Sequence, residues 1–127
     1  MKPIKEFQII YYVVYPFHLA ISYHHSFNEL EKALQNVLPE DVWYQIKEFE
    51  NTEVGKTIMF TSGQTCIWFK ETTYSTISHE IFHAIDFLMR RIGCKLTPSS
   101  DDAYAYLIGY ITTEIYKNLK NETPRIR

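Results

Sequence analysis

Residues 65–92 read TCIWFKETTYSTISHEIFHAIDFLMRRI, and the change of period inside this stretch decides the fold class. Thr65 to Phe69 is a short run of β-branched and aromatic residues, the composition of a strand. From about Thr73 to Ile92 the period changes. Ile77, Ile81, Ile85, Leu88 and Ile92 recur at intervals of three and four, joined by Phe82 and Met89 on an adjoining strip, so one broad side of a helix faces a core. Gly93 supplies a stop signal.

Working upstream, Thr57 to Thr61 pairs with Thr65 to Phe69 as a hairpin through Ser62, Gly63 and Gln64. Glu50 to Gly55 is polar and reads as a loop. Val42 to Phe49 is open between a helix, through Trp43, Ile46 and Phe49, and a strand, through Tyr44 and Ile46. Ser26 followed by Glu29 is a capping-box pattern, after which Phe27, Leu30, Leu34, Val37 and Leu38 mark one face of a helix that Pro39 ends. Phe7 to Val14 reads as a strand, and Phe17 to Tyr23, beyond Pro16, as a second strand or the continuation of a bent one. Downstream, a last helix starts near Asp101 or Ala103, capped by Ser100 or Asp101. Tyr104, Leu107, Ile111 and Ile115 form its apolar side, and it frays by Asn121. The expectation is one α+β domain over residues 1–127, with a small mixed or antiparallel sheet packed against three main helices.

Composition narrows the function classes. Thirteen Lys and Arg against fifteen Asp and Glu give a formal charge of −2, with no basic block before the tail at Arg125 and Arg127. Nucleic-acid binding needs a concentrated positive footprint, so it is set aside. Lys2 and Lys5 precede an apolar-looking run, but Gln8, several tyrosines, Pro16 and His18 interrupt it, so the run reads as strands rather than as a signal peptide or a membrane span. Cys66 and Cys94 are too few for a disulfide framework and read as reduced thiols of a cytoplasmic protein. A domain of this length folds without a metal, so a metal here would be functional.

The chemistry-bearing constellation is His79, Glu80 and His83. Residues four apart on a helix lie one turn above each other, so both imidazoles can converge on one ion, and the acid after the first His can hold a metal-bound water. At 100° per residue, His79, His83, Asp86 and Arg90 fall within about 60°, away from the apolar side. A motif with three fixed positions also arises by chance, and the plain alternative is two helical histidines beside an ordinary acid. A catalytic zinc needs a third protein ligand. Asp102 follows His83 after 18 intervening residues and Asp101 after 17. Asp102 is preferred because Asp102, Tyr106, Gly109 and Thr113 form one narrow helix face on which Gly109 permits close approach. Asp86 reads as an acceptor orienting a ligand imidazole or as an ion-pair partner of Arg90. Tyr106 and Tyr110 are candidate donors to a developing oxyanion. His18, His24 and His25 read as surface histidines.

The stretch His79-Glu80-Ile81-Phe82-His83-Ala84-Ile85-Asp86, followed by Asp102-Ala103-Tyr104-Ala105-Tyr106-Leu107-Ile108-Gly109-Tyr110, resembles small zincin-like metallopeptidases found largely in bacteriophages and prophages. Thr65 to Glu71 also resembles the strand that leads into the motif helix there. The resemblance implies a minimal gluzincin-like core with His79 and His83 as Zn2+ ligands and Glu80 as general acid/base. The acidic position matches Asp102, where such proteins usually carry Glu, one methylene longer. The expected function is a zinc metallopeptidase: zinc-activated water attacks a peptide bond and Glu80 shuttles the proton. Its substrate would be a peptide or protein in the bacterial host cytoplasm, with a phage or host protein as a further partner and neither nucleic acid nor membrane involved. The alternatives are an inactive zinc-containing binding or phage accessory protein, and a metal-free structural or interaction protein.

Overall fold

The structure is a computed structural model that describes residues 4–37, 39 and 54–119. The segment Val42 to Phe49, the first part of the expected 50–55 loop and the basic tail lie outside the described residues.

Four strands and three helices follow one another as β1 (Glu6–Val14), β2 (Phe17–Tyr23), α1 (Phe27–Val37), β3 (Gly55–Met59), β4 (Thr65–Phe69), α2 (Tyr74–Arg91) and α3 (Asp101–Asn118). The sheet is mixed, in the order β1-β2-β4-β3. β1 and β2 pair antiparallel with Ile9 opposite Ala20, so the segment after Pro16 is a separate strand rather than a bent continuation. β2 and β4 run parallel with Ile21 opposite Ile67, and β3 and β4 form the antiparallel hairpin with Thr57 opposite Ile67.

Helices cover both faces of this sheet. On one face Leu19, Ile21, Tyr23, Ile67 and Phe69 pack with Ile77, Ile81, Ile85 and Leu88 of α2 and with Tyr104, Ile111 and Ile115 of α3. On the other, Leu30 and Leu34 of α1 pack on Ile58, Phe60, Cys66 and Trp68. β4 is therefore buried at every position, which is why its sequence is a continuous apolar run without alternation. Each fully buried aliphatic or aromatic side chain in these clusters contributes roughly 1.5–3 kcal/mol.

Local chemistry sets the helix ends. Ser26 and Glu29 form the expected capping box: the Ser26 N–H donates to Glu29 Oε1 at 2.8 Å, and the Glu29 N–H donates to Ser26 Oγ at 3.2 Å. Thr73 caps α2 by accepting from the Thr76 N–H at 3.2 Å. At the other end Gly93, with φ of 81°, lets its N–H reach Arg90 O and the Cys94 N–H reach Met89 O, a Schellman closure. Ile92 and Phe82, expected on the core side, are 50% and 41% exposed. Ile92 is the cap residue where the helix ends, and Phe82 lies one position past the buried Ile81, at the edge of the packed stripe. Among the described residues, no helix is long and apolar enough to cross a membrane.

Candidate functional site

The motif helix and the edge strand β3 build one cleft of about 330 Å³, lined by Gly55, Lys56, Thr57, His79, Glu80, His83 and Phe87. One helical turn separates His79 from His83, and their rings converge edge to face, with centroids 4.7 Å apart and Nε2 atoms 3.2 Å apart. That distance is a hydrogen bond in which one imidazole donates and the other accepts. His79 remains open to solvent, with its side chain 65% exposed.

Glu80 lies about 100° round the helix from His79 and about 60° from His83, on the side nearer the core, flanked at i−3 and i+4 by the fully buried Ile77 and Ala84. It is itself only 7% exposed. Thr57 on β3 meets it there, its hydroxyl placed to donate to Glu80 Oε1 at 2.8 Å and lying 3.1 Å from the Glu80 main-chain oxygen. The second carboxylate oxygen, Oε2, lies 3.8 Å from His79 Nε2, beyond hydrogen-bond reach. Gly55 allows strand and helix to come this close, since a Cβ built there would stand 2.7 Å from Thr76 Cγ2 and 3.3 Å from Glu80 Cγ.

The other expected site residues do not join this cleft. Asp102 and Asp101 are exposed in the first turn of α3. Tyr106 and Tyr110 are 76% and 41% exposed. The reason is the phase of α3. Tyr104, Ile111 and Ile115 are buried in the core, and at about 100° per residue Asp102 and Tyr106 lie roughly opposite Tyr104. The close backbone approach expected at Gly109 is absent, because a Cβ built there meets nothing within 4 Å. Tyr104 of α3 does turn inward; its hydroxyl donates to Cys94 O at 3.3 Å and its pKa is raised, chiefly by burial. Asp86 takes the ion-pair role, 2.9 Å from Arg90.

The three remaining histidines belong to the β1–β2 side of the sheet. His18 Nδ1 accepts the Tyr12 N–H at 2.9 Å, and His24 Nδ1 lies 3.1 Å from Lys70 O. His25 stacks on Phe7 with its Nδ1 2.8 Å from Ser22 Oγ, and burial lowers its pKa.

These placements correct the expected chemistry. Among the described residues no group of three or more His, Cys, Asp or Glu side chains is placed to hold a metal ion, so the Zn2+ centre with His79, His83 and Asp102 as ligands is not formed. The expected zinc metallopeptidase, with Glu80 acting on a metal-bound water, falls with it, and so does the inactive zinc-containing alternative. Sequence reasoning missed Thr57, Gly55 and Phe87. Thr57 was legible only as a strand residue, while Phe87 stands four residues after His83 and so follows it on the same helix face.

No family model, no curated protein and no solved structure matches this chain, so the expected phage metallopeptidase identity gains no support from comparison.

Proposed function

We propose that the chain is a metal-free peptide-binding module that takes an extended segment of a protein partner along the outer edge of β3. The observation that carries this reading is the position of β3. It ends the sheet, and among the described residues no strand pairs with its outer side, while its inner face abuts the cleft on α2. An unpaired strand edge supplies main-chain donors and acceptors for an added strand, and an adjoining pocket supplies selectivity for its alternate side chains. A zincin-like arrangement is the finer reading of the fold within this proposal. Its support is the edge strand lying alongside the helix that carries His79, Glu80 and His83.

Two measurements test the proposal. Metal analysis of protein purified without added zinc should find far less than one metal ion per chain; stoichiometric zinc that His79→Ala abolishes would refute the metal-free reading. Amide chemical shifts recorded with a pool of end-blocked octapeptides should move at residues 55–59 and around His79 and Glu80. Shifts confined to other surfaces would refute binding along β3.

A further inference from the structure

Glu80 carries an unmet requirement that identifies what the cleft takes. A carboxylate this buried needs a countercharge or a full set of donors, since a charged group without partners in a desolvated place costs several kcal/mol. Among the described residues its one hydrogen-bond donor is the Thr57 hydroxyl, on Oε1. Oε2 has no donor within hydrogen-bond distance among them. His79 Nε2 lies 3.8 Å away, within ion-pair range but too far for a hydrogen bond, and the same atom is engaged with His83 at 3.2 Å.

We infer that the cleft selects a basic side chain, arginine above lysine, from the peptide laid along β3, with Glu80 Oε2 as its acceptor. The inference rests on the proposed peptide-binding reading and names the partner chemistry of that same site. Side chains of an added strand alternate between the faces of the sheet, so every second one on the Thr57 side reaches toward the cleft. The cleft's volume of about 330 Å³ is at the small end of ligand sites and suits one long side chain rather than a cofactor. Arginine is favoured by the rings beside the acid. His83 and Phe87 both line the cleft and stack with an interplanar angle of 29° and centroids 6.2 Å apart. They offer aromatic surface to a planar guanidinium, which stacks while its N–H groups reach a carboxylate. Lys56 also lines the cleft, and among the described residues no ion pair joins it to Glu80.

The test uses four pools of end-blocked octapeptides, randomised except for a fifth position fixed as arginine, citrulline, lysine or norleucine, titrated against the whole chain by calorimetry. Citrulline keeps the shape of arginine and removes the charge. The arginine pool should bind at least about tenfold tighter than the citrulline pool, as hydrogen bonds to a charged group imply, with the lysine pool between them. Glu80→Gln keeps an acceptor for Thr57 and should bring the arginine-to-citrulline ratio close to one. Phe87→Ala should narrow the gap between arginine and lysine. Equal binding of the arginine and citrulline pools, or a ratio that survives Glu80→Gln, overturns the inference while leaving peptide binding along β3 standing. Binding by none of the pools overturns both. If Glu80→Gln fails to fold, the comparison on the parent chain decides by itself.

Discussion

Replacing Gly55 with alanine should destabilise the protein, although glycine-to-alanine changes in regular structure usually help. The added Cβ would stand 2.7 Å from Thr76 Cγ2, closer than real Cβ atoms come to any neighbour, and 3.4 Å from Trp68 O. Thr76 cannot swing aside cheaply. It is 9% exposed, its Oγ1 accepts from the Thr73 hydroxyl at 2.7 Å, and its N–H donates to the same Thr73 hydroxyl that caps α2. Forcing a methyl into a packed site costs about 1–3 kcal/mol. The smaller conformational entropy of the unfolded chain returns about 0.4–1 kcal/mol. The expected net loss is about 1–2 kcal/mol, or roughly 4–8 °C in Tm for a domain of this size. Thr76→Ser removes Cγ2 while keeping the capping hydroxyl, so it should relieve the clash. Urea denaturation of the parent, both single variants and the double variant should give a favourable coupling of about 1 kcal/mol or more. A Gly55→Ala protein as stable as its parent, or strictly additive variants, would refute the packing argument that sets β3 against α2.

Two further outcomes follow from ionisable groups away from the cleft. The Glu29 carboxyl is held down at about 2, from 4.5, first by the Ser26 backbone N–H and then by the Lys5 ammonium, 3.1 Å from Oε1. A folded-state value below the unfolded one means that its contribution is fully present above about 4.5 and is lost as pH falls toward about 2. Glu29→Gln should therefore flatten the fall of the urea midpoint across that window; an unchanged acid slope would count against the capping box as its source. Burial pushes the Cys66 thiol up to about 12, whereas Cys94 is only half-buried. Iodoacetamide should accordingly label Cys94 in the native protein and reach Cys66 only on unfolding, and equal labelling rates followed by mass spectrometry would contradict the packing of β4.

The features that could be read from the sequence are those whose cause is local. The capping box at Ser26 and Glu29, the Gly93 closure and the three-four period of Ile77, Ile81 and Ile85 each depend on residues within a turn or two of one another. The parallel pairing of β2 with β4 does not. Its partners are more than forty residues apart, with α1 and β3 between them, and nothing in either strand names the other. A hint existed in the missing alternation of Thr65 to Phe69, which signals cover on both faces. β3 begins at Gly55, two positions before the expected Thr57, because a glycine that reads as loop in sequence serves here as the point of closest approach to α2. Convergence of His79 and His83 was legible for the same local reason as the helix.

The third ligand failed because two uses of α3 compete for one orientation of the helix. Tyr104, Ile111 and Ile115 are each at most 2% exposed, so their burial contributes several kcal/mol together. The Asp102 face lies on the side of α3 opposite these three residues, so turning Asp102 inward would require rotating α3 by about half a revolution. That rotation would put all three large side chains in water and draw an exposed carboxylate out of it. The core therefore fixes the phase of α3, and it does so through residues that were visible in the sequence. Asp102, Tyr106, Gly109 and Thr113 were grouped correctly as one face, but the same count of 100° per residue sets that face opposite Tyr104. With α3 committed to the core, the cleft is left to α2 and β3. Its acid, Glu80, stands beside the open edge of the strand, held by Thr57 on one carboxylate oxygen.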